Sequence, residues 1–439
     1  MSTQIAEATA AESGTKASSA GAHTKVAYIV SRFPKLTETF ILYEILAMEQ
    51  ELGIGVEIYP LLRQRERVVN PQVRELITRA HFEPLLSWRI LSANLHYLRR
   101  CTGTYFRTLA TIVRTTFGSS NFFLGAVAFL PKSVCFARDI ERRGISHVHA
   151  HFANHPALAA YIVSQLTGIP YSFTARGSDI HLERRMLKEK VEAAAFAITV
   201  SDYNRNLIIA ECGEWVSGKV HVVYGGVDTE RVSPAPRVGS KRFTMLSIGR
   251  FEEVKGHTYL IEACRLLRER GIEFQCHFIG EGPLFSQVRE QIDRAHLDNQ
   301  ILISSFCTHQ EVIDRMRKSD LVVLATAPTA GGECEGIPNV LKEAMACGLP
   351  VVASDAGGIP ELVENRVSGI LVRPRDPVAL ADAIQELAGH PSMRRRMGEA
   401  GRQKILRDFN LAASNRRRAD LYLGAYPAGP ELPASIRSI

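Results

Sequence analysis

The residues best suited to chemistry lie in the stretch Glu335-Gly-Ile-Pro-Asn-Val-Leu-Lys-Glu343, which runs on into Ala-Met-Ala-Cys-Gly348. Pro338 suits the first position of a helix, having no N–H to leave unpaired there, and Gly348 suits its stop, so the pattern predicts a helix from Pro338 to Cys347. Its N-terminus would present the backbone N–H groups of Asn339, Val340 and Leu341, whose partial positive charge can bind a phosphate. Glu335 and Gly336 stand just before that end, and Glu343 lies about a turn and a half inside it. Like charge keeps both carboxylates off a phosphate. Each is better suited to accept hydrogen bonds from hydroxyls, one set on a sugar and the other on a ribose. Taken alone, the same stretch would also fit a solvent-facing helix with ordinary surface acids.

A second group is Gly249-Arg250-Phe-Glu-Glu-Val-Lys255-Gly256, at the end of one apolar run and the start of a helical pattern. A guanidinium can grip two phosphate oxygens with its planar fork, while an ammonium acts as a mobile point charge, so the pair answers a diphosphate better than either alone. Gly280-Glu-Gly282-Pro283 and Ser354-Asp-Ala-Gly-Gly-Ile-Pro-Glu361 repeat the arrangement of strand, glycine turn and helix. There glycine would let the backbone approach a ligand, and the second segment is a further candidate anion site. His147, His149, His151 and His155 raise a metal hypothesis, because residues two apart on a strand share a face. No acidic or cysteine ligand lies near them in the sequence, so a structural or substrate-lining role for His149 and His151 is the reading adopted, and no metal is expected.

These segments need a scaffold. The chain of 439 residues exceeds one usual core, and 46% hydrophobic with 23% charged residues is a globular composition. Short apolar runs start at Lys25, Gly55, His147, Tyr171, Phe196 and Lys219, and again at Phe243, Phe274, Ile301, Leu321, Pro350 and Ile370, with helical patterns between most of them. That alternation predicts two doubly wound α/β domains, each a parallel sheet covered by helices, with ligands bound beyond the carboxyl ends of the strands. The boundaries read as a disordered tail at 1–23, a first Rossmann-like domain at 24–224, a Gly- and Pro-rich linker at 225–240, a second domain at 241–408, and at 409–439 a last helix returning to the first domain, followed by a tail. The arginines of that last helix are taken for a solvated face.

The formal charge is +7 and unevenly spread. Between Arg79 and Arg138 stand Arg89, Arg99, Arg100, Arg107, Arg114 and Lys132, with Glu83 as the single acid. LLSWRILSANLHYLRR and TYFRTLATIVRTTF can fold there as helices with an apolar stripe and basic edges, suited either to an anionic membrane face or to packing on the core with the arginines in water. No nucleic-acid motif accompanies the charge. The tail lacks the basic start and apolar run of a secretory signal, no run of 18 or more apolar residues occurs, and the eight cysteines form no C-x-x-C pair. A cytoplasmic protein with reduced thiols is the expectation, peripheral contact with the inner membrane face being compatible.

From Val220 through Arg373 the chain resembles the retaining glycosyltransferases of family 4, which have the GT-B fold of two facing Rossmann-like domains. The likeness runs through GGVD at Gly225, the Arg250/Lys255 segment, GEGP, the two glutamates eight positions apart, GGIPELVEN and SGILV. It implies Arg250 and Lys255 on a donor diphosphate, Glu343 on the ribose, and Glu335 with the following amides on the donor sugar, without a metal. The first half is similar to the exopolysaccharide and colanic-acid type through SRFPKLTETFILYEI at Ser31 and HVHAHFA at His147. Glu38, His149, His151, Arg176 and Asp179 would then border the acceptor side.

Phe173-Thr-Ala-Arg176-Gly-Ser-Asp179-Ile-His181 departs from the family, whose members carry a histidine at the position of Arg176. The implied reaction moves a sugar from a nucleotide-sugar to a saccharide or lipid-linked saccharide acceptor. A nucleotide-sugar 2-epimerase and a binding protein with impaired transfer are the rivals. A nicotinamide-dependent dehydrogenase is disfavoured because no strand in the first half leads into G-x-G-x-x-G.

Overall fold

The computed structural model describes residues 25–35, 39–64, 71–236, 242–305 and 307–424. The proposed tail, Glu38 and the end of the proposed linker lie outside them. Twelve strands form two parallel sheets of six. In the first, β1 (Lys25–Phe33), β2 (Gly55–Arg63), β3 (His147–His151), β4 (Tyr171–Ala175), β5 (Phe196–Thr199) and β6 (Val220–Val222) take the order β2-β1-β3-β4-β5-β6. In the second, β7 (Phe243–Ile248), β8 (Phe274–Ile279), β9 (Ile301–Ser304), β10 (Leu321–Leu324), β11 (Val351–Ser354) and β12 (Gly369–Val372) take the order β12-β11-β10-β7-β8-β9.

Every residue of β3, β4, β5, β10 and β11 is buried, as central parallel strands covered on both faces require. The strand order reverses between β1 and β3 and between β7 and β10. At such a switch neighbouring connections part to opposite faces of the sheet and leave a crevice at the carboxyl ends. Gly249 and Arg250 follow β7, so the second crevice is where the basic segment emerges.

Between β2 and β3 the first domain carries three long helices, Trp88–Arg100, Thr102–Thr116 and Ser120–Arg142. The first two were legible as amphipathic patterns. The third was not, because Pro131 sits inside it and a proline ordinarily breaks a helix. Packing overrides that preference: Phe122, Ala126, Leu130, Val134, Phe136, Ala137 and Ile140 belong to the core of the first domain. By length and composition this helix could cross a bilayer, as a core helix of this kind also can; half of its most apolar window is buried against the first domain. Its neighbour Lys132 is buried and donates to the carbonyls of Leu61 (2.6 Å) and Glu83 (2.7 Å), tying the helix to the end of β2.

The last helix, Leu411–Tyr422, is capped by the Asn410 side chain and packs on the first domain, although it follows the second in sequence. Ala419, Leu421 and Tyr422 join the core cluster of Val26, Tyr28 and Ile198. Arg416 and Arg417 are exposed, but Arg418 is buried, so the helix does not present its arginines as one solvated face.

Candidate active site

The helix at the heart of the expected site spans Asn339–Ala346. Pro338 has φ −64° and ψ 129°, extended rather than helical, so it caps the helix and is not its first residue as expected. The N–H groups of Asn339, Val340 and Leu341 have no acceptor within the helix, as in any first turn. Pro338, Asn339, Lys342 and Glu343 line a cavity of about 470 Å³ between the two domains. Val340 and Leu341 pack into the second domain's core, so they can serve a ligand only through their backbone.

Lys255 and Glu335, 80 positions apart, meet in this cavity with Nζ 2.6 Å from Oε2. The Lys255 chain lies over Gly249, where a Cβ would come within 3.4 Å of it. Arg250 stands at the mouth, two-thirds exposed and 2.9 Å from Glu252. Glu343 accepts from, or pairs with, His309 Nε2 at 3.1 Å. The hydrogen bond to Glu343 pulls the His309 pKa above its ordinary value, against burial. Burial, with Glu252 and Glu335 adding repulsion, raises the Glu333 carboxyl. His309 was missed in the sequence because nothing but the fold relates it to Glu343.

The glycine segments make room for neighbouring backbone. A Cβ on Gly280 would meet the Gly249 carbonyl oxygen at 2.0 Å, and one on Gly282 would meet the Phe251 backbone at 2.5 Å. Neither lines the cavity; both let one loop lie against the backbone that carries Arg250. Gly357 likewise fits against the Glu335 carbonyl, with only 1.9 Å available for a Cβ. No residue from Ser354 to Glu361 lines the cavity. Glu361 is itself the anion, accepting from the N–H groups of Asp202 and Tyr203 at 2.8 Å and so capping the first domain's helix Asp202–Cys212.

On the opposite wall the expected residues separate. Arg176 lines the cavity, with its guanidinium 3.9 Å over the Phe40 ring and 3.7 Å from Glu44. Asp179 also lines it, but its carboxylate accepts from the N–H groups of Ala153, Arg176 and Gly177, which is a fold-building role. His149 and His151 are completely buried and do not border an acceptor, correcting that expectation. His149 is held by the hydroxyls of Ser172 and Thr174 at 2.8 and 2.9 Å, and His151 packs edge-on to Tyr28. Burial keeps both imidazoles neutral by lowering their pKa values well below the ordinary one.

The fold does bring an acid to these histidines that sequence proximity could not reveal. Glu44 lies so that its oxygen and ring nitrogens of His149 and His151 fall within 4.8 Å of one another. The set suits a cation poorly: both nitrogens of His149 are engaged, and Arg418 at 3.4 Å and Arg176 at 3.7 Å press positive charge on Glu44.

The two walls are joined through His181. Its Nδ1 lies 2.7 Å from the Cys334 carbonyl oxygen, next to Glu335, and its Nε2 lies 2.9 Å from Asn204 Oδ1. The Asn204 amide in turn donates to the Arg176 carbonyl at 2.8 Å. His181 is thus a bridge between domains.

Two facing doubly wound domains, with basic and acidic groups converging on a helix start in the cleft, define the GT-B class of fold. Residues 91–231 match the model "Glycosyltransferase Family 4" and residues 228–404 the model "Glycosyl transferases group 1". WcaL of Escherichia coli (strain K12), named for colanic acid biosynthesis, is 37% identical over 212 residues, covering 46% of this chain and 50% of that protein. The amylovoran biosynthesis glycosyltransferase AmsK of Erwinia amylovora is 34% identical over 204 residues with the same coverage. The matched stretch thus spans about half the length of these relatives.

Among solved structures, a glycosyltransferase of Rickettsia africae ESF-5 superposes with a TM-score of 0.69 at 19% identity, covering 91% of this chain and 98% of that one. Anabaena HepE in complex with UDP and glucose superposes with a TM-score of 0.68 at 18% identity, covering 92% and 100%. Both likenesses concern the fold.

Proposed function

We propose that the chain transfers a sugar, with retention of anomeric configuration, from a nucleotide-sugar to a saccharide or lipid-linked saccharide in cell-surface or exopolysaccharide synthesis. The observation that carries this is the Lys255–Glu335 contact at 2.6 Å beside the start of the Asn339–Ala346 helix, inside a cavity shared by two domains. A diphosphate entering that cavity competes with Glu335 for Lys255. When Lys255 turns to the phosphate, Glu335 is released to accept from sugar hydroxyls, so donor binding exchanges one charge-assisted pair for two. Arg250 at the mouth and the unpaired N–H groups of the helix start add positive charge where the departing nucleoside diphosphate gains negative charge. The chain's own groups provide that neutralisation, so no metal is invoked. An acceptor hydroxyl attacks from the side the diphosphate leaves and passes its proton to the departing phosphate oxygen as the sugar–phosphate bond breaks, which keeps the configuration without a protein nucleophile.

The relatives named for colanic acid and amylovoran biosynthesis support the acceptor class, and UDP with glucose in HepE makes UDP-sugars the first donors to try. Release of nucleotide from UDP-, GDP- and ADP-sugars, in the parent protein and in Lys255→Ala and Glu343→Ala, tests the reading. One donor should turn over, and each variant should lose about ten- to a hundredfold, the worth of a hydrogen bond to a charged group. Unchanged turnover in both variants would refute the donor-site assignment. Donor binding without turnover would favour a binding protein.

We also propose that the chain works on the cytoplasmic face of an anionic membrane. Residues 88–138 contain no Asp or Glu, while Leu86, Trp88, Phe117 and Leu124 are 90%, 83%, 75% and 65% exposed around the three long helices. Arg89 and Arg107 are exposed on the same helices, which suits acidic headgroups around a shallow apolar contact.

A further inference from the structure

Glu335 sits on the least regular part of the cavity. Residues 325–338, between β10 and the helix Asn339–Ala346, form neither helix nor strand. The second domain ties down the Glu335 end of this stretch at two places. The Gly358 N–H donates to the Glu335 carbonyl at 3.3 Å, and the Lys255 ammonium meets the Glu335 carboxylate at 2.6 Å. The second tie is the one a diphosphate takes away. A loop that is to hold a sugar after Lys255 has turned to the phosphate needs a support that the phosphate does not reach.

The first domain supplies it. His181 is 4% exposed and does not line the cavity, and its ring lies against the Cys334 peptide, with Nδ1 2.7 Å from the carbonyl oxygen and 3.3 Å from the nitrogen. With a proton Nδ1 donates to the oxygen, and without one it accepts from the N–H, so the contact persists either way. On the other side of the ring, Asn204 donates to the Arg176 carbonyl at 2.8 Å, which turns its own oxygen toward Nε2 at 2.9 Å. The turn that aims His181 is equally fixed, because the Asp179 carboxylate accepts from the N–H groups of Ala153, Arg176 and Gly177. Tyr203 packs edge-on to the imidazole, with centroids 5.8 Å apart. The two loops also touch directly, since a side chain on Gly336 would come within 3.0 Å of the Arg176 carbonyl oxygen.

We infer that His181 is a positioning residue for the transfer: with the domains together it seats on the Cys334 peptide and holds Glu335 toward the donor sugar once Lys255 has moved to the diphosphate. It acts only through Glu335, the next residue along. When the domains part, the peptide loses its partner and the carboxylate its aim, so the contact makes the placement of Glu335 depend on domain closure. The inference rests on the transferase reading for the role of Glu335, while the link between His181 and Cys334 is a property of the fold.

The test compares the full-length parent with His181→Phe, His181→Asn and His181→Gln. Phenylalanine keeps a ring without hydrogen bonds. The asparagine amide reaches the place of Nδ1 and keeps the Cys334 contact, whereas the glutamine amide reaches the place of Nε2 and keeps only the Asn204 contact. Hydrogen exchange of the N–H groups of residues 333–337 is measured beside UDP affinity and nucleotide release from UDP-, GDP- and ADP-sugars. His181→Phe and His181→Gln should exchange this stretch about ten- to a hundredfold faster and lose a similar factor in kcat, as when a buried peptide group is left without its partner. UDP affinity should stay at the parent value, because Arg250, Lys255 and Glu343 are untouched, and His181→Asn should recover part of both losses. Parent-like exchange or kcat in His181→Gln, UDP affinity that falls in step with kcat, or a His181→Asn no better than His181→Gln would overturn the assignment, and these outcomes stand even if His181→Phe fails to fold. Faster exchange in a chain that turns over no donor would keep the link and sink the transferase reading instead.

Discussion

Lys342 and His309 flank Glu343 and respond to pH in opposite senses. The native Lys342 loses its proton near 7, whereas the unfolded chain holds it up to 10.5. Between those values the unfolded state binds more protons, so this residue makes the protein more stable as pH rises from about 7 toward 10.5. Lys342→Met should flatten that rise, read from urea midpoints at pH 6.5 and 9. His309 is the reverse case: its pKa is raised above the ordinary 6.5, so its stabilisation is complete below 6.5 and fades as pH climbs through the raised value. In Glu343→Gln the imidazole resonance of His309 should titrate closer to its ordinary value by NMR.

At this scale the sequence disclosed what is contiguous. Lys255, Arg250, Glu335 and Glu343 sit in short motifs, whereas Glu44, His309 and Arg418 reach the cavity through helices far apart in the chain. Burial, which moved His149 and His151 out of the acceptor wall, cannot be read from strand alternation when both faces of a strand are covered.

Among the elements, the turn into helix His257–Glu269 depends on Gly256, which has φ 63° and leaves only 1.8 Å between an ideal Cβ and the Ala325 carbonyl oxygen. Gly256→Ala must push the Lys255 segment away from the end of β10. It should cost more than about 1 kcal/mol in stability and lower turnover with it, checked by denaturation midpoint and nucleotide release. Glu361 caps a helix of the other domain, so Glu361→Ala should cost about 1 kcal/mol and weaken the contact between domains, checked by the denaturation midpoint and by the proteolytic sensitivity of the 225–236 connection. Periodicity located the strands because apolar runs bounded by Gly, Pro and Asn are short and frequent. Gly280, Gly282 and Gly357 make room for neighbouring backbone, a demand that looks identical in sequence to room for a phosphate. Helix Ser120–Arg142 escaped because its local preference at Pro131 and its packing disagree.

For the molecule as a whole, the exposed apolar residues and the acid-free stretch predict a peripheral protein. Leu86→Ser with Trp88→Ser removes two side chains worth about 1.5–3 kcal/mol each when fully buried. Flotation with phosphatidylglycerol vesicles should fall at least tenfold in the double variant and fall with salt in the parent, while nucleotide release in solution stays unchanged. The crossing of Leu411–Tyr422 onto the first domain also bears on how the protein is made. Tyr28 and Tyr422 share a hydrogen bond across 394 positions. At a ribosome speed of roughly 5–20 residues per second, Tyr28 waits roughly 20 to 80 s for that partner. Throughout that time the core beside β1 lacks its last wall and Glu44 lacks Arg418. The domain synthesised first is therefore the one completed last, and a nascent chain halted before Leu411 would hold a finished second domain beside an unfinished first.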